Sequence, residues 1–158
     1  IYVQADAGST VFLYDTGVEL TYIAGCFNAN MDWFAAWQDG DNIRMRWWDT
    51  EIDGYAIWTE LDAESPALCL DDHRPWNVTD ADVLFFYLKG NGLYYRQQRD
   101  RFGVERLLGN VGPGVRRLGR CGMTENYRVQ IELIGEGPCE MGKFNPPCPT
   151  YRSQAPCL

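Results

Sequence analysis

Apolar and polar residues alternate along this chain with the period of a β-strand, and glycine, asparagine and aspartate interrupt the alternation at short intervals. Residues 11–14, closed by Asp15-Thr16-Gly17, and residues 18–23 predict a hairpin. Residues 24–32 have turn composition, and residues 33–38 are a nearly continuous apolar run, the pattern of a strand covered on both faces. After the turn Asp39-Gly40-Asp41-Asn42, residues 43–48 set Ile43, Met45 and Trp47 on one face and Arg44, Arg46 and Trp48 on the other. A turn over 49–54 leads into residues 55–59, so four short antiparallel strands are expected between 18 and 60.

The stretch 32–49 then returns fifty positions later without a gap: Trp37 falls on Tyr87, Gly40 on Gly90, Ile43 on Leu93 and Arg46 on Arg96. The second unit, over 67–109, predicts strands at 67–70, 83–88, 93–98 and 104–108, with turns at Lys89-Gly90-Asn91-Gly92 and 99–103. A partial third unit, 112–134, offers strands at 115–118 and 127–134. Four strands in a period near fifty is the content of a propeller blade, whereas helical and leucine-rich repeats have other lengths. The expectation is an all-β, β-propeller-like domain over 1–134, followed by an irregular arm over 135–158 that holds five of the eight prolines. Two and a half blades do not close a ring, so a homo-oligomer, most simply a trimer, is expected to complete it. The other architecture compatible with the pattern is one β-sandwich of about ten strands, the repeat marking its halves.

Composition agrees with this reading. Aromatics make up 14 % of the 158 residues, beside sixteen glycines; both favour strands and tight turns. The net charge of -8 and the lack of a basic stripe beyond 115–120 argue against a nucleic-acid surface. Twelve arginines against two lysines suit stacking on rings and bidentate carboxylate pairing inside a fold or interface. No apolar run approaches the ~20 residues of a membrane-spanning helix. The chain opens on Ile1 without an initiator Met or a basic-then-apolar leader, which reads as processed, trimmed or part of something longer.

Several groups carry candidate chemistry. His73, the single histidine, lies in the polar loop Asp71-Asp72-His73-Arg74-Pro75 with no nucleophile-elbow sequence, so it reads as a loop residue rather than a base. Carboxylate pairs for glycoside hydrolysis are available among Asp39, Asp41, Asp49, Asp53, Asp71, Asp72 and Glu105, with no spacing that selects one. Asp39-Gly40-Asp41-Asn42 has oxygens for calcium but no twelve-residue loop, and reads as a turn. Cys139, Cys148 and Cys157 follow at nine-residue steps, with Cys121 upstream. Four thiols there would serve as disulfides stapling the arm, as ligands for a metal or iron-sulfur cluster, or as free thiols, depending on compartment. Cys26 and Cys69 lie in or beside apolar runs and read as buried free thiols. Arg44, Arg46, Trp48, Trp58, Trp76, Tyr94 and Arg96 together suggest a carbohydrate platform, rings stacking on a pyranose and guanidinium groups holding hydroxyls. The simpler reading is that the rings pack one blade on the next and the arginines pair with carboxylates.

The stretch Asn91-Gly92-Leu93-Tyr94-Tyr95-Arg96-Gln97-Gln98-Arg99-Asp100-Arg101-Phe102-Gly103-Val104-Glu105 resembles virion structural proteins of long-tailed bacteriophages, in wording found in tail-tip and fibre proteins. So does Arg120-Cys121-Gly122-Met123 before Asn126-Tyr127-Arg128-Val129-Gln130-Ile131-Glu132. The resemblance covers roughly 33–133 and brings no catalytic residues. It implies a non-enzymatic subunit of the phage particle, in the tail tip or fibre, repeated by symmetry, bound to other tail subunits and in contact with the host surface. Residues 43–48 and 55–58 are also similar to strands of the small fucose-binding lectins, in which two blades per chain close a six-bladed ring by trimerisation. Their Arg, Glu and Trp sugar triad recurs in each blade, whereas Trp48 here becomes Gln98 and Trp58 becomes Leu108.

Overall fold

Two glycines set the frame. Gly40 and Gly90 have φ of 62° and 57°, in the left-handed region that glycine enters without steric cost. They turn the chain between β4 (Trp33–Asp39) and β5 (Asn42–Asp49), and between β8 (Asp82–Lys89) and β9 (Gly92–Gln97). The registers match at the offset of fifty: Asp39 opposes Asn42 as Lys89 opposes Gly92, and Gln38 opposes Ile43 as Leu88 opposes Leu93.

The computed structural model describes residues 2–5, 9–12, 20–71, 81–112, 114–123, 129–135 and 140–144. It is all-β. A hairpin pairs β1 (Tyr2–Ala5) with β2 (Ser9–Phe12). Sheet 1 follows as the meander β3 (Ile23–Phe27), β4, β5, β6 (Gly54–Glu60), and sheet 2 as β7 (Glu64–Asp71), β8, β9, β10 (Arg106–Asn110). Sheet 3 joins β11 (Val115–Met123), β12 (Val129–Gly135) and β13 (Glu140–Phe144). Every pairing is antiparallel, and no described sheet closes into a barrel. No helix among the described residues is long and apolar enough to cross a membrane.

Three expectations shift. The strand expected at 18–23 begins only at Ile23 and runs through Gly25 to Phe27, within the stretch expected to be turn. Val11 and Phe12, expected to pair with 18–23, pair with Val3 and Tyr2 of β1, while residues 13–19 lie outside the described residues. The arm expected to be irregular from 135 contributes β13, whose residues pair in register with β12 from Val129 opposite Phe144 to Leu133 opposite Glu140.

Sheet 2 lies between the other two, and β8 explains how. Val83, Phe85 and Tyr87 enter a core with Phe34, Ile43, Met45 and Trp47 of sheet 1. Leu84, Phe86 and Leu88 enter another with Leu118, Val129, Ile131 and Leu133 of sheet 3. All six β8 residues are essentially inaccessible, which is why both parities of this strand are apolar. Face-to-face packing of this kind is common to propeller-like stacks and sandwiches, and the arrangement is compatible with both. The first strands lie side by side, β7 touching β3 and β11. They flank an open cavity of about 630 Å³ lined by Tyr22, Ala67, Arg117, Arg120, Cys121 and Glu132 among others.

Candidate functional site

The alternation read along β5 holds, and its consequence is that the predicted platform is divided. Ile43, Met45 and Trp47 are buried toward sheet 2, while Arg44, Arg46 and Trp48 lie on the opposite face of sheet 1. On that outer face Trp48 meets Tyr55 edge to face at 5.0 Å, Trp33 lies 5.5 Å from the same ring, and the Arg46 guanidinium sits 4.5 Å over it. Arg44 pairs with Asp39. Register places Ile23, Phe27 and Ile57 on this face too, the two isoleucines more than half exposed, whereas Ala35 and Trp37 at its centre are buried.

Trp58, Tyr94 and Arg96 come together on the other side, between sheets 1 and 2. The Arg96 guanidinium lies 5.0 Å from the Trp58 ring centroid. Its Nε donates to Glu60 Oε2 at 2.6 Å, Nη2 to Glu60 Oε1 at 3.3 Å, and Nη1 to the Phe102 carbonyl at 2.9 Å. Trp58 Nε1 donates to Glu60 Oε2 at 3.3 Å. The Arg96 and Glu60 side chains are only 10 % and 6 % exposed, so the pair is held in a medium where losing either partner is costly. At the rim, Tyr87 Oη donates to Glu105 Oε1 at 2.8 Å, and Lys89 Nζ reaches Glu105 at 3.3 Å and Glu60 at 3.5 Å. Tyr94 stacks on Tyr87, ring centroids 6.0 Å apart.

Electrostatics follow from this geometry. Burial raises the Glu105 carboxyl, but the hydrogen bonds from Tyr87 and Lys89 and the charges of Lys89 and Arg96 outweigh it and hold the group below its ordinary value. Burial pulls the Lys89 ammonium down, and Glu105 and Glu60 more than restore it, leaving it above its ordinary value. For Tyr87, burial first and then the bond to Glu105 push the phenol far up. Lys89 and Glu105 are therefore a charged pair at neutral pH, and Tyr87 stays a neutral donor.

The stretch 91–105 fastens sheet 2 to sheet 1. A 3₁₀ turn, Gln98–Asp100, delivers Arg101 and Phe102 at φ of 53° and 60°. Phe102 is fully buried, its ring 5.2 Å from Trp47 and 6.2 Å from Phe34. Arg101 pairs with Asp49 at the end of β5 and with Glu51 in the β5–β6 turn, and Arg99 with Asp82.

Sequence reasoning missed Glu60, Tyr87 and Lys89 as members of this cluster and Trp33 and Tyr55 on the outer face. Glu60 had a signal: it stands two residues after Trp58, the single acid on an otherwise apolar inward face. Trp76, His73 and Asp72 lie outside the described residues, as do Cys139, Cys148 and Cys157, so the disulfide or metal role drawn for those cysteines is not addressed by the described chain. Cys121, grouped with them, is a free thiol on β11. Among the described residues no group of three or more His, Cys, Asp or Glu is placed to hold a metal ion. Asp39-Gly40-Asp41-Asn42 forms the β4–β5 turn. No protein-family model matches the chain, and no curated protein matches it.

Proposed function

We propose that this chain is a non-enzymatic structural component of a bacteriophage virion, at the tail tip or fibre, where it assembles with other tail subunits, as a homotrimer or on a trimeric hub. The observation that carries the assembly role is the outer face of sheet 1. Its edge strands leave Ile23, Phe27, Tyr55 and Ile57 open beside Trp33, Trp48 and Arg46. The centre of that face, Ala35 and Trp37, is buried, so it is the open edge strands that another subunit's surface would cover. The resemblance of 91–105 to tail proteins supplies the particle. Mass spectrometry of purified phage particles from the source of this sequence should find the chain at a fixed stoichiometry, concentrated in isolated tails. Absence from intact particles would overturn the reading.

One observation favours a second reading, a carbohydrate-binding lectin that closes a propeller by trimerisation. Trp58, Glu60 and Arg96 stand together, the three side-chain types of a propeller lectin site. Their counterparts at the offset of fifty are Leu108, Asn110 and Pro146, so the group does not repeat. A glycan array separates the readings: sugar binding lost in Arg96→Lys but kept in Trp48→Ala favours the lectin site. Binding lost in Trp48→Ala alone assigns host contact to the outer face, and silence on all glycans removes the lectin.

A further inference from the structure

Three cysteines fall one to a sheet, each on the first strand: Cys26 on β3, Cys69 on β7 and Cys121 on β11. All three are free thiols. Because β7 lies between β3 and β11, Cys69 is the middle member of the row. Cys121 packs against the core cluster that holds Cys69, where β7 of sheet 2 lies against β11 of sheet 3. The two differ in access. Cys69 is buried in the core with Leu84, Val129 and Ile131, whereas Cys121 packs at the margin of that core and lines the open cavity of about 630 Å³ between the first strands. A half-buried cysteine at the cavity and a buried one in the core it packs against have the layout of an attacking and a resolving thiol.

We propose that Cys69 and Cys121 form an oxidisable dithiol which a low-molecular-weight disulfide converts into a covalent staple between sheets 2 and 3. The reagent enters the cavity, and the Cys121 thiolate attacks one of its sulfurs. The reagent's S–S bond breaks, one thiolate leaves, and a mixed disulfide forms on Cys121. Cys69 then gives up its proton to solvent and its sulfur attacks the Cys121 sulfur, expelling the second thiolate. The two protein thiols lose two electrons and two protons, and the reagent leaves as two thiols, so no further co-reactant is required.

The same surroundings predict the order of events. The neighbouring Cys121 thiol, burial and Asp71 hold the Cys69 thiol well above its ordinary value. Resolution is therefore the slow step, and the mixed disulfide on Cys121 accumulates first. Burial, with a smaller contribution from Cys69, raises Cys26 strongly, which keeps that thiol a poor competitor.

The test uses the full chain, folded, incubated with oxidised glutathione, quenched with a maleimide and mapped by peptide mass spectrometry. The expected result is a glutathione adduct on Cys121 that decays into a peptide pair linked through Cys69 and Cys121. The thermal midpoint should rise by several degrees in the linked form and return on reduction. In Cys69→Ser the adduct on Cys121 should form and persist, and in Cys121→Ser both adduct and link should be lost. A Cys26 to Cys69 link, a permanent adduct in the unmodified chain, or three unreacted thiols in folded protein would each overturn the proposal. Since the mapping of the unmodified chain decides alone, a variant that fails to fold does not rescue it.

Discussion

The two boundaries of sheet 2 are built from one strand, yet they differ in kind. The boundary with sheet 1 is ring-rich and contains ions: Phe34, Trp47, Phe85, Tyr87 and Phe102 share its core, and the Arg96 and Glu60 pair lies beside Trp58. The boundary with sheet 3 is mainly aliphatic, and across it the Leu118 amide donates to Ser65 Oγ at 2.6 Å. An apolar boundary is fixed by shape alone and tolerates small slips, whereas a buried guanidinium with three committed bonds accepts one register. The ionic boundary thus sets how sheet 1 sits on sheet 2, and the aliphatic one supplies adhesion.

The largest effect should come from Glu60→Ala, which leaves the Arg96 charge buried without its carboxylate. Denaturant unfolding should show a loss of about 4 kcal/mol. Adding Arg96→Met should recover much of it, and additive losses would mean the pair does not set the boundary. Next in size, Leu84→Ala and Phe85→Ala should each cost about 3 kcal/mol while acting in opposite directions. Hydrogen exchange should quicken in β12 for the first and in β4 for the second; spread of either effect to both sheets would merge the two boundaries into one core. The smallest effect is a pH dependence. Because Glu105 titrates below its ordinary value in the fold, its contribution is present above pH 4.5, the unfolded value, and is lost as pH falls through the folded one. Glu105→Gln should therefore have a lower thermal midpoint than the natural chain at neutral pH, a gap that closes in acid; a constant gap would assign Glu105 a role in shape only.

Much of the fold was legible because turns and parity are local. Gly40 and Gly90 announce two equivalent hairpins, and the double-parity apolar run at 83–88 announces a strand with no wet face. β3 and β13 were not legible for the converse reason. Ala24, Gly25 and Cys26 have little strand preference and become a strand because β4 offers a partner, as Glu140–Phe144 does because β12 does. The candidate site was half legible. Alternation separates Arg46 from Trp47 correctly, but bringing Trp58 of β6 to Arg96 of β9 depends on how two sheets stack, which no spacing along one strand encodes.

The double burial of β8 also imposes a timetable on synthesis. While sheet 1 leaves the ribosome, Ile43, Met45 and Trp47 are covered only in part, by Ala63 and Leu68, until Phe85 and Tyr87 emerge some forty residues later. That event in turn bares Leu84 and Phe86 until Val129 and Ile131 arrive. Each sheet is finished by its successor, so growth of the chain is a running exchange of one sticky surface for the next, and a nascent chain paused between 60 and 82 presents the first of these surfaces to the cell's chaperones.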